Sequence, residues 1–505
     1  MREFPYLSVV LRMSQEETEY REESDLLGTR KVPADAYWGI QTLRARENFG
    51  VSLVNLNNYS TLVKALAKVK KACTLANRDL NHLSKEYADA IIQACDEIID
   101  GKLLDQFVVD MLQGGAGTST NMCANEVIAS RANEILGEPR NSQSPISAND
   151  HVNMSQSTND VYPTAIKIAT IEGFNELSAN LKDLIAALDE KAEEYQHILK
   201  LGRTEMQDAV PITLGQEFGA WSGALKRDLQ RIQAAVSVLE THNIGATAIG
   251  TSLNADPEYI KLAEEHLREV TGISALTTAE NLIDDTQNAD EFTHASGLLR
   301  VLATNLSKIA GDLILLSSGP IGGFHEITLP PVQPGSSIMP GKVNPVIPEM
   351  ITQVAMQVMG HDTVIAIGAQ SGQLELNAFE PLIAYNFFQA LKVLRNSIPI
   401  FTEKCVKGIK PNMEGLDIVH KSVGLVTALN PVIGYKAASH VAKVALETRR
   451  PIRDIVLEEG LLDADWLDII LSPERMTKAG IIGHQHTKRI SDRASKDRNA
   501  SKSSS

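Results

Sequence analysis

Cysteine is scarce: Cys73, Cys95, Cys123 and Cys405 are the four in 505 residues, scattered with no C-x-x-C pair. That argues against a disulfide framework and a zinc site, and it fits a reducing cytoplasm. Long apolar runs are missing too. The early run Leu7 to Leu11 is too short for a secretory signal, and no stretch approaches the roughly 20 apolar residues of a membrane span. Positive charge is in deficit, with 48 Lys+Arg against 63 Asp+Glu for a formal net charge of −15. Such a field repels phosphate backbones and anionic lipid, so no nucleic-acid or membrane partner is expected. Alternating β-branched stretches are few, which leaves a central parallel sheet without support. What is there is ordinary globular material, 43% hydrophobic and 22% charged. The acidic run Glu16 to Glu23 follows Met13 closely enough that Met13 competes with Met1 as the start.

Proline interrupts helix interiors, so the proline-free stretches 164–210, 212–256, 258–319 and 349–380 are the helix candidates. In the third, Phe292, Ala295, Leu299, Leu302, Leu306, Ile309, Leu313 and Leu316 recur at steps of three and four, the pattern of a long bundle helix. The expected fold class is mainly α, a long central helical bundle with smaller N- and C-terminal domains. The expected boundaries are 1–159 for the N-terminal domain, its residues 1–23 flexible, then 160–413 for the bundle and 414–483 for the C-terminal domain. The tail 484–505 is basic and serine-rich, with too little apolar area to offset the entropy of ordering, and reads as disordered. Its His484 and His486 read as solvated, and no metal site is assigned anywhere in the chain.

Four segments share one design, a glycine or turn residue, then hydroxyl and amide side chains, then an expected helix start. They are Gly114 to Asn121, Ser155 to Asp160, Gly202 to Glu205 and Gly335 to Asn344. Helix starts carry unpaired N–H groups and partial positive charge, which suits a carboxylate or phosphate. The same residues are also ordinary N-caps, so each segment alone admits a purely structural role. Two phosphate-loop readings fail. Gly335 to Lys342 has Pro340 at the second glycine of a Walker A run, is one residue too long, and ends on Val343 where Ser or Thr would hold magnesium. Gly115-Ala116-Gly117 lacks the third glycine and the preceding strand of a dinucleotide site. In the last segment Lys342 and Asn344 supply a cation and an amide that can pair with a carboxylate, which capping alone does not explain.

Gly335-Ser336-Ser337-Ile338-Met339-Pro340-Gly341-Lys342-Val343-Asn344-Pro345 resembles the signature of the class II fumarase and aspartate ammonia-lyase superfamily. The resemblance runs from Asp25-Leu26-Leu27-Gly28 to about Ile482. Ser157-Thr158-Asn159-Asp160 reads STND where fumarases typically have SSND, and with 345–349 and 372–377 it resembles the aspartase branch. The resemblance implies a homotetramer whose central helices pool into one bundle, each active site built from three subunits. It implies reversible elimination of ammonia from a small dicarboxylate, L-aspartate, to give fumarate, with no organic cofactor and with divalent-ion activation left open. By similarity Thr118, Ser157, Thr158 and Ser337 would bind the β-carboxylate, Thr204, Lys342 and Asn344 the α-carboxylate, and Asn159 with Thr118 the amine. Ser336 would be the general base. From the residues alone Ser336 serves equally well as a donor, because serine is a weak acid whose alkoxide needs support.

Two positions depart from the pattern. Position 205, where many members have histidine, is Glu205, suited either to a substrate ammonium or to an ordinary ion pair. Ala148-Asn149-Asp150-His151 stands where fumarases show HPND, so His151 reads as a packed or capping residue. The rival readings are a fumarase acting on L-malate and a catalytically silent homologue.

Overall fold

A computed structural model describes residues 19–480. The chain is mainly helical, and five helices dominate it: Thr158–Glu194, Leu214–Val236, Asp290–Leu316, Val346–Gln370 and Glu380–Lys404. Strands among the described residues occur only as two-stranded ribbons. All eight residues of the periodic series from Phe292 to Leu316 are buried, so the apolar stripe is the packed face of the Asp290–Leu316 helix. No helix among the described residues is long and apolar enough to cross a membrane.

Proline marks the helix ends less faithfully than the sequence suggests, since Pro163 and Pro399 lie inside helices. Each removes an N–H that would have reached a carbonyl four residues back. Both carbonyls are satisfied from elsewhere. Asn243 Nδ2 donates to Asn159 O at 2.9 Å, and Asn180 Nδ2 donates to Arg395 O at 2.9 Å. A distant asparagine thus replaces the missing donor, and each helix runs through its proline.

The described chain divides into two compact units. One comprises residues through 178, 230–301 and 356–394, and the other 179–229, 302–355 and 395 onward. In the first, the Ser60–Asp79, Lys85–Ile99 and Thr118–Ile135 helices pack around buried Leu62, Leu66, Ile91, Ile98 and Val127. In the second, Leu425, Leu429, Val441, Ile452, Ile455, Leu467 and Ile470 make a separate C-terminal core. Of the residues expected to be flexible, 1–18 lie outside the described residues, whereas Tyr20–Asp25 is a strand paired with Gly28–Pro33. Arg21 fastens it, donating to the carbonyls of Ala36 and Trp38 at 2.9 and 2.7 Å. The tail 484–505 with His484 and His486 also lies outside the described residues.

Candidate active site

In the first unit the Gly114 to Gly117 loop delivers the chain into the Thr118–Ile135 helix. Gly115, Ala116 and Gly117 all have positive φ, and a Cβ on Gly117 would come within 2.4 Å of the Tyr162 ring. Glycine is required there by both conformation and space. Thr118 opens the helix exposed, its hydroxyl donating to Gly115 O at 2.8 Å.

Ser157 precedes the Thr158–Glu194 helix as a two-way cap. Its hydroxyl oxygen accepts the Asn159 N–H at 3.2 Å, and its own N–H donates to Asp160 Oδ1 at 3.0 Å. The second oxygen of Asp160 accepts the Thr247 N–H at 3.0 Å. Burial pushes the Asp160 carboxyl up to about 7, against the pull of these N–H groups. Thr158 is buried, and its hydroxyl oxygen accepts from Asn121 Nδ2 at 3.2 Å. Asn159 donates its side-chain amide to Ala248 O at 2.7 Å.

These bonds bring in a segment that the sequence reading passed over, the loop 243–254. Gly245, Thr247, Gly250, Ser252 and Asn254 all have positive φ, and the loop is fastened to Asn159 and Asp160 by the three bonds from Asn243, from Thr247 and to Ala248. Its sequence, Gly245-Ala246-Thr247-Ala248-Ile249-Gly250-Thr251-Ser252, repeats the glycine-then-hydroxyl design of the other four segments. That was the signal available. Nearby, His151 is a packed capping residue, its Nδ1 accepting the Ser147 N–H at 2.9 Å and its ring edge-on to Tyr87.

In the second unit Thr204 ends the strand Leu199–Thr204, which pairs with Gln207–Thr213. Glu205 and Met206 form a two-residue turn with φ of 52° and 62°, so Thr204 and Glu205 stand exposed at the ribbon's tip. The ribbon is anchored by buried charge: Glu326 pairs with Arg203 at 2.6 Å and Lys200 at 3.2 Å, and Lys200 also reaches Glu217 at 2.9 Å. Arg203 stacks over Phe324, 4.3 Å from the ring centre.

The loop 335–344 closes on itself. Gly335 N–H donates to Lys342 O at 2.7 Å, and Asn344 Nδ2 donates to Gly335 O at 2.6 Å. A Cβ at Gly335 would lie 2.4 Å from Lys342 O, so glycine is needed for the closure. Inside the loop the Ser336 hydroxyl oxygen accepts two backbone N–H groups, from Ile338 at 3.2 Å and Met339 at 3.0 Å. Ser336 and Lys342 line one pocket of about 470 Å³, and Ser337 and Lys342 are exposed. The structure thus brings Ser157, Thr158 and Asn159 together on one helix start, with Thr118 opening another helix of the same unit. It gathers Ser336, Ser337, Lys342 and Asn344 in one loop, with Thr204 and Glu205 on a ribbon of that second unit. Among the described residues no group of three or more His, Cys, Asp or Glu is arranged to hold a metal ion.

Residues 28–360 match the Lyase family model, and residues 425–478 match Fumarase C C-terminus. The aspartate ammonia-lyase of Bacillus subtilis (strain 168) is 49% identical, covering 92% of this chain and 98% of that protein. That of Pseudomonas aeruginosa is 51% identical, with the same two shares, 92% and 98%. Among solved structures, a fumarate lyase:delta crystallin of Brucella melitensis bound to cobalt superposes with a TM-score of 0.89, at 50% identity over 91% of this chain and 100% of that one. A class II fumarase of Schistosoma mansoni gives 0.86 at 34% identity, over 91% of this chain and 99% of that one. The chain belongs to the fumarase and aspartase superfamily of lyases, in its aspartate ammonia-lyase branch. It is an enzyme, a carbon–nitrogen lyase.

Proposed function

We propose that the protein reversibly eliminates ammonia from L-aspartate to give fumarate, with Ser336 as general base. The observation that carries this reading is the pair of N–H groups converging on the Ser336 hydroxyl oxygen. Two fixed donors on one oxygen favour its alkoxide, the form a serine base requires. Ser336 Oγ takes the proton from the carbon beside the β-carboxylate, and the electron pair left behind spreads into that carboxylate as an aci-carboxylate dianion. Thr118, Ser157, Thr158 and Ser337 donate to it. The pair then returns to form the double bond as the C–N bond breaks and ammonia leaves. Thr204, Lys342 and Asn344 hold the α-carboxylate, and Asn159 with Thr118 holds the amine. Glu205 at the ribbon tip draws the substrate ammonium toward the site. The reaction as written needs no cofactor. The enzyme is a cytoplasmic homotetramer in which three subunits contribute to each site. Fumarate absorbance, followed with L-aspartate and separately with L-malate, tests the reading. Turnover is expected with L-aspartate and little or none with L-malate, and faster turnover of L-malate would overturn it.

A further inference from the structure

Beneath the Ser157 to Asp160 helix start lies a cation that the chemistry above does not use. Lys70, on the Ser60–Asp79 helix, is fully buried, and burial lowers its ammonium to about 8, with Asp160 opposing the shift. Its Nζ donates to Asn153 Oδ1 at 3.1 Å and to Gln156 Oε1 at 2.8 Å. Asn153 Oδ1 also accepts from Asn121 Nδ2 and Asn125 Nδ2, both at 3.0 Å. The other hydrogen of Asn121 Nδ2 goes to Thr158 Oγ1 at 3.2 Å.

The direction of these bonds is set at Asn153, where the Lys70 ammonium can only donate to the oxygen and the Gln156 carbonyl, 3.1 Å from Nδ2, can only accept. Asn153 must therefore turn its oxygen toward Lys70, Asn121 must turn its NH₂ toward Asn153, and the Thr158 oxygen becomes the acceptor at the end of the line. The Thr158 proton is then free to leave the network. The usual local acceptor, the carbonyl four residues back, is already taken, because Met154 O accepts from Asn77 Nδ2 at 3.0 Å and Gln156 Nε2 at 3.1 Å. This arrangement is held at a cost. Asn121 Oδ1 and Asn125 Oδ1 are buried with no partner, whereas turning Asn153 and Asn121 over would satisfy Asn121 Oδ1 with the Thr158 hydroxyl. Two groups of fixed polarity keep the network from turning, the Gln156 carbonyl, which only accepts from Asn153 Nδ2 at 3.1 Å, and Lys70, the one side chain among these partners that has no alternative polarity.

We propose that Lys70 is a positioning residue for the elimination, setting the direction of a buried relay through Asn153 and Asn121 so that the Thr158 hydroxyl donates outward to the substrate carboxylate. The inference rests on Thr158 binding that carboxylate, as given under the proposed function. Its test is a double-mutant cycle on kcat/KM for L-aspartate, using Lys70→Met, Thr158→Val and the pair in the full-length enzyme. Each single variant is expected to lose roughly 10- to 100-fold, as for one donor to a developing charge. The pair is expected to fall no further than Thr158→Val alone, since without the hydroxyl there is nothing left to direct. Losses that multiply would make Lys70 a merely structural residue and overturn the relay. A Thr158→Val enzyme with unchanged kcat/KM would instead overturn the role of Thr158 itself. Should Lys70→Met not fold, Lys70→Gln, which replaces the donor-only ammonium with an amide that can also accept, faces the same criterion: non-additivity with Thr158→Val supports the relay, and multiplication refutes it.

Discussion

The helix start at 157–160 and the loop at 335–344 use similar residues, serines with asparagine nearby, and hold them by opposite means. Thr158 to Asp160 are fixed by groups remote in sequence, Asn121, Asn243, Thr247 and Ala248, and Ser157 is capped onto that fixed turn. The 335–344 loop is held by bonds that begin and end within itself. A group that must meet developing charge with no delay is best anchored to a rigid frame. A base that must first admit the substrate is better placed on a segment able to change shape without dismantling that frame. On the proposed chemistry, the two regions divide preorganisation from access.

The largest effect expected comes from the loop. Ser336→Ala should lower kcat by about three orders of magnitude or more while a competitive dicarboxylate still binds, as read by inhibition or calorimetry. Near-normal turnover in the folded enzyme would remove Ser336 as the base and with it the functional side of the comparison.

The frame makes the next prediction. His242, beside Asn243, is buried, its Nδ1 accepts the Ile244 N–H, and burial lowers the imidazole to about 4. In the unfolded chain it titrates near 6.5, so on acidification the unfolded state binds the proton first. Stability from this group is intact above that pH and is lost as pH falls toward 4, by about 2 kcal/mol on reaching about pH 5. Thermal unfolding of wild type and His242→Gln should show this acid-dependent loss in the wild type alone. Parallel curves would show that the histidine does not control it.

The last pair of variants sharpens the contrast most. Asn243→Leu and Asn180→Leu each strip the replacement donor from a carbonyl behind a helix proline. Each should cost about 1–3 kcal/mol of stability. Only Asn243→Leu, whose target is the carbonyl of Asn159, should also lower kcat/KM for L-aspartate. Equal activity losses in both would mean that helix integrity, not the site's frame, is what the asparagines protect.

The same asparagines show what could be read from the sequence. The period of Phe292 to Leu316 is local information, and it named the buried face of its helix correctly. Pro163 and Pro399 misled because their compensation comes from Asn243 and Asn180, and no local rule connects residues so far apart. The helix starts were legible as anion-suited segments, yet capping and binding are not alternatives at Ser157. Its oxygen accepts from Asn159 as a cap, while its own proton remains available to a ligand. Lys70 was invisible for a different reason. In a run such as Lys68-Val69-Lys70-Lys71 a lysine reads as solvated, and only tertiary packing shows that Lys70 faces inward.

The four cysteines acquire a practical meaning from the fold. All are buried free thiols, and burial pushes Cys73, Cys123 and Cys405 up to about 12 and raises Cys95 as well. Thiolate is the reactive form, so alkylating reagents should find the folded enzyme nearly inert. The natural chain is thus a ready background for site-specific labelling, with no cysteine to remove first. A thiol introduced by Ile338→Cys, at a side chain 83% exposed in the serine loop, would carry a fluorophore or spin label by itself and show whether that loop moves during turnover. Any slow labelling of the four native thiols would then time the opening of the surrounding core.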